Sequence, residues 1–276
     1  MDICKDMYNS YRILKNKFPN ISNSYNVEIE NVINDFRCQQ HFLIKITCLK
    51  TLIFATSKSG STSIFLQELD KNKHNKFSVD RVHKRMVSDY SILRHIYSME
   101  EYNDINNDNI RFTSVIAIIY IIFIKKQKLN VICIYRDILE QCFSSLFYTT
   151  IHREWYVEHV SKLDEAWSDS KFSLYNVLLI QIHHYIEYIK IYMEYSNILI
   201  GNKNVFIQFI NTNHLKYKKN INQDIYYEKF KSFMNRNLIF KNCVKKILYN
   251  NVDIKSYLKF FQSVIEDEDC NFRQYR

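Results

Sequence analysis

Apolar and polar positions along this chain are arranged as short buried strands separated by amphipathic helices. Ile3, Met7, Tyr11 and Leu14 recur at helical spacing and the pattern stops near Pro19, so residues 2–17 are expected to form a helix, with a shorter one over 27–37. The run Thr51-Leu52-Ile53-Phe54-Ala55 is apolar after its first residue and too short for a helix, and reads as a buried strand. A polar turn from Thr56 to Ser63 follows, and Ile64, Phe65, Leu66 and Leu69 then supply an apolar helical face. The same order repeats at Leu129–Tyr135, an apolar strand that breaks at Arg136-Asp137 into a helix with Leu139, Cys142, Phe143, Leu146 and Phe147 on its inner side. Leu174–Tyr195 has helical periodicity, Val205–Ile210 reads as a strand, and residues 223–236 and 253–266 as further helices. Strand and helix in alternation imply an α/β fold with a central parallel sheet covered by helices on both faces. Nothing like a linker, repeat or low-complexity tract interrupts residues 1–276, which are expected to form a single domain.

Composition sharpens two points. The chain of 276 residues has 2 glycines, Gly60 and Gly201, and 1 proline, where average usage would give roughly nineteen glycines. Each glycine is therefore expected where the backbone tolerates little else. The net charge is +9, from 38 basic and 29 acidic residues, which favours anionic partners. The 7 cysteines form no C-x-x-C pair and give no disulfide framework. Cys38 and His41 make half a metal site without a second half, so no metal is expected. The N-terminus lacks the apolar core of a signal peptide, and the most apolar run, Val115–Ile124, falls short of the about 20 residues a membrane helix needs. A cytoplasmic protein with no transmembrane segment is expected.

The candidate chemistry begins after the first strand. In Lys58-Ser59-Gly60-Ser61-Thr62-Ser63 a strand feeds a glycine- and hydroxyl-rich loop that opens a helix. Backbone N–H groups of such a loop converge on an anion, and the helix dipole adds partial positive charge. Gly60 lets the backbone curl, the hydroxyls add donors and Lys58 adds a full charge. The alternative is an ordinary helix N-cap region. Lys58 precedes Gly60, which excludes the G-x-x-x-x-G-K-[ST] pattern of ATP- and GTP-binding loops.

That order, K-[ST]-G-[ST]-[ST], resembles the 5′-phosphosulfate loop of sulfotransferases that use 3′-phosphoadenosine-5′-phosphosulfate (PAPS). The segment Val131-Ile132-Cys133-Ile134-Tyr135-Arg136-Asp137, with Ser144 in the following helix at the family's spacing, is similar to their second motif. The resemblance covers about residues 50–150 well, and its short spacing is most like bacterial or viral carbohydrate- and capsule-modifying members. It implies a three-layer α/β/α P-loop sulfotransferase fold with a helix-rich C-terminal part. It implies PAPS as sulfonate donor, bound by Lys58, Ser59, Gly60, Ser61, Thr62 and Ser63 at the 5′ end and by Arg136 and Ser144 at the 3′-phosphate. A guanidinium fork and a hydroxyl at the carboxyl edge of a parallel sheet suit that phosphate. Ser57 stands where many members have proline and Ser63 where the small-molecule branch has tryptophan, which leaves adenine recognition unassigned.

By the same resemblance, Lys58 neutralises the leaving phosphate oxygen and a histidine, or in some branches a glutamate, acts as base. His83, closing the expected short strand Phe77–His83, is the first choice, with an ordinary pKa near 6.5 that suits the task. His95, at the end of an expected helix with Ile92 and Ile96, is the second. The acceptor is expected to be a hydroxyl or amine of a carbohydrate or glycoconjugate; Trp155, Tyr156 and Trp167 could stack on a sugar ring or on adenine, with ordinary core packing as the more common role of such residues. Nucleic acid is not expected as a partner. Two readings stay open: another P-loop phosphotransferase, and an inactive binder of nucleotides or nucleic acid.

Overall fold

The computed structural model describes residues 3–24, 50–56, 59–61, 64, 92–94, 115–147, 174–213 and 221–266. These residues are mostly helical, with a small parallel sheet. They fall into two compact units. The first is drawn from Met1–Thr56, Ser61–Ile134 and Glu194–Ile210, the second from Ser57–Gly60, Tyr135–Met193 and Asn211–Arg276.

In the first unit, α1 (Ile3–Lys17) buries Met7 and Leu14, as its spacing requires. The first helix ends at Lys17, just before Pro19 as expected, and Pro19 opens a second helix, α2 (Pro19–Ser24). Its fixed φ and missing N–H suit a first helical position. Strand β1 (Thr51–Ala55) is buried from Leu52 to Ala55. It pairs in parallel with β2 (Ile92–Arg94) on one side and, on the other, with the later strand that begins at Leu129. The helical expectation at Ile92 is thus corrected. Three residues carry no readable period, and pairing with β1 fixes them as a strand.

The apolar run before β3 is α3, residues 115–119 continued by a π-helical turn over Tyr120–Ile124. Val115 to Ile122 are all buried. Lys125 N–H reaches back to Tyr120 O at 2.9 Å, and Lys126 follows in a left-handed conformation, φ 53°. Against this turn lies the end of α1 and its exit: the Phe18 and Phe123 rings are 6.1 Å apart, and Lys17 Nζ stands 4.9 Å over Phe123.

Strand β3 (Leu129–Tyr135) buries residues of both faces, as a central parallel strand must. After it come α4 (Ile138–Leu146), α5 (Leu174–Leu199) and β4 (Val205–Asn211). The sheet order is β2-β1-β3-β4. Leu129 N–H donates to Asn204 O and Thr212 N–H to Tyr135 O, bonds that set β4 parallel to β3.

In the second unit, α4 faces inward with Ile138, Cys142, Phe143 and Leu146, followed by Phe147. Leu139, expected there, is only half-buried. Phe147 meets Tyr227 and Phe230, at 5.4 and 5.7 Å, on α6 (Ile221–Arg236). A helix not expected from the sequence, α7 (Leu238–Asn250), buries Phe240, Val244 and Leu248. The apolar pattern at the C-terminal end is divided at Phe261 into α8 (Val252–Phe260) and α9 (Gln262–Glu266). Asn251 caps α8 by accepting from Asp253 and Ile254 N–H. Among the described residues, no helix is long and apolar enough to cross a membrane.

Candidate functional site

Three chain segments of the second unit each continue from a strand: Ser57–Gly60 after β1, Tyr135 onward from β3, and Asn211 onward from β4. Open parallel sheets place ligand sites at such strand ends because loops there leave the backbone in one direction. Thr212 ties the three together. Its hydroxyl lies 2.6 Å from Ser59 O and 2.9 Å from Tyr135 O, and its N–H donates to Tyr135 O at 2.9 Å. Thr212 and Ser59 are both buried, so the single hydroxyl hydrogen, shared between these two carbonyls, satisfies acceptors that water does not reach.

Gly60 has φ 95°, a left-handed backbone that a Cβ would strain. One of the chain's two glycines therefore stands at the bend of the candidate loop. Ser61 opens the next helical stretch and is buried, as is Ile64. Lys58, Thr62 and Ser63, the other residues expected to hold the 5′-phosphosulfate, lie outside the described residues. So do His83 and His95, the base candidates, and Trp155, Tyr156 and Trp167.

Arg136 and Ser144 are both half-buried, Arg136 directly after β3 and Ser144 on α4. Tyr135 anchors the turn between them and the strand. Its ring lies 5.6 Å from Phe261 and 6.4 Å from Tyr257, and Tyr192 joins both of these partners at 6.2 and 5.6 Å. Asp137 is the N-cap of α4: its carboxylate accepts from Glu140 N–H at 2.9 Å, and its own N–H donates to Asn213 Oδ1. Asn213 is itself bonded to Asn211 Oδ1 through its N–H, at 3.0 Å. Arg136 thus leaves a strand end whose backbone is fixed on both sides.

Burial raises the Tyr135 hydroxyl pKa above its ordinary value, and the negative charge of Asp137 and the nearby Tyr249 raise it further. Tyr249 is raised by burial and then by Asp137. Both phenols stay protonated at neutral pH. Burial alone pushes the Cys142 thiol up, so it is no thiolate nucleophile. Lys231 on α6 pairs with Glu140 at 2.9 Å, joining α6 to the first turn of α4. Half-exposed as it is, that pair is worth about 1 kcal/mol or less.

Thr212, Asn213 and Tyr135 were not singled out from the sequence, where Thr212 and Asn213 look like ordinary turn residues. The available signal was the strand Val205–Ile210 just before them, since strand ends bring loop residues together. No family model matches the chain, and no curated protein or solved structure is significantly similar to it.

Proposed function

We propose that the chain is a PAPS-dependent sulfotransferase acting on a hydroxyl or amine of a carbohydrate or glycoconjugate, with the three-layer P-loop arrangement as the finer form of its α/β fold. The reading is carried by the Thr212 link, which ties the loop containing Gly60 to the strand end that leads into Arg136. Two segments that resemble the family's cofactor motifs are thereby joined through one buried side chain. The left-handed Gly60 supports it further, because a loop that wraps an anion needs such a residue.

In this reading the loop N–H groups and Lys58 hold the 5′-phosphosulfate, while Arg136 and Ser144 hold the 3′-phosphate. His83 takes the proton from the acceptor as its oxygen or nitrogen attacks sulfur. The sulfur–oxygen bond to the phosphate breaks, and that oxygen leaves as part of 3′-phosphoadenosine-5′-phosphate (PAP), its new charge met by Lys58. The step needs no metal.

Turnover of labelled PAPS with a panel of glycans tests this. The wild-type chain is expected to label an acceptor without divalent metal. His83→Ala is expected to bind PAP as before and to lose about 100-fold or more in rate, the scale of a general base. A fully active His83→Ala variant would remove His83 from the mechanism, and metal-dependent transfer from ATP instead would overturn the reading.

A further inference from the structure

At the amino edge of the sheet, in the first unit, the register gathers lysines from three parts of the chain. Asn130 N–H bonds to Lys50 O and Leu129 N–H to Asn204 O, which sets Lys50, Lys128 and Lys203 at neighbouring strand starts. Lys125 and Lys126 stand in the turn that enters the same edge, and all these lysines are exposed. Among the described residues no carboxylate pairs with any of them. Two large apolar side chains are exposed on the chain segment that carries Lys203: Ile200 at 46%, in the turn before β4, and Phe206 at 51%, with Lys128 Nζ 5.8 Å over its ring.

We propose that this edge docks the protein onto an anionic lipid surface. The choice among polyanions follows from the side chains. Among the described residues of the patch none is an arginine, whose planar fork suits single phosphates, sulfates or base edges. Lysines are strongly hydrated point charges that respond to a diffuse negative potential, such as that of a bilayer rich in acidic headgroups. An exposed phenylalanine with a lysine over its ring adds what a headgroup layer accepts and a dissolved polyanion does not. This inference does not depend on the proposed sulfonate transfer.

Co-sedimentation of the full chain with phosphatidylcholine vesicles, with and without about one-third phosphatidylserine, tests it. Binding is expected only to the acidic vesicles, with release in about 0.5 M NaCl, where screening is short-ranged. At about fivefold per lysine, the triple variant Lys126→Glu, Lys128→Glu, Lys203→Glu should lose at least about 100-fold in partitioning, with unchanged circular dichroism. A charge-matched control, Lys245→Glu, Lys246→Glu, Lys255→Glu, should bind nearly as the wild type does. Phe206→Ser should weaken binding to the acidic vesicles at low salt. Absence of binding to acidic vesicles would overturn the proposal, as would equal loss in the control. Patch-dependent binding of polyuridylate or heparin without vesicle binding would also overturn it, assigning the edge to another polyanion.

Discussion

Tyr135 concentrates much of the local physics. Its ring belongs to the cluster with Tyr192, Tyr257 and Phe261, and its carbonyl oxygen accepts from Thr212 N–H. Each aromatic pair there adds about 0.5–1.5 kcal/mol beyond burial. Because burial, Asp137 and Tyr249 raise its pKa in the folded state, the unfolded chain ionises first as pH rises. The stability this group contributes is complete below its ordinary pKa near 10 and is lost as pH climbs toward the folded value. The melting temperature should therefore fall between about pH 8 and about pH 11 by less in Tyr135→Phe than in the wild type. Equal losses would mean that the phenol is not held protonated by the fold.

At the scale of elements, the strands were legible where a local apolar run carries them, the mostly half-buried Val205–Asn211 included. Thr51–Ala55 and Leu129–Tyr135 are apolar runs whose neighbours are polar turns, and both form as expected. Ile92–Arg94 was not legible, since its identity lies in β1, far away in sequence. The helix Leu238–Asn250 was overlooked although Phe240, Val244 and Leu248 stand at a clear spacing of four, because exposed Leu238 and Ile239 blur the stripe. In the candidate site, Gly60 and Arg136 could be read from local motifs. Thr212 could not, because its partners Ser59 and Tyr135 are brought to it only by the sheet. Thr212→Val keeps the shape and removes the hydroxyl, leaving the Ser59 carbonyl without that donor in a buried place. A loss of about 1–3 kcal/mol in urea unfolding is expected, with weaker PAP binding. Unchanged stability and binding would mean that the link does not organise the strand ends.

For the whole molecule, two groups of basic residues bear on the two proposals. One is the amino edge of the sheet, with its exposed lysines. The other is the strand end that bears Arg136, with Lys58 in the loop before Gly60. The measurement that tests the central claim most directly is calorimetric titration of the purified chain with PAP, with ADP and ATP·Mg²⁺ as controls. The account predicts metal-independent binding selective for the 3′-phosphate, weakened by about 1–3 kcal/mol in Lys58→Ala and in Arg136→Ala. Binding of ATP·Mg²⁺ in preference to PAP, or PAP affinity unchanged in both folded variants, would contradict it.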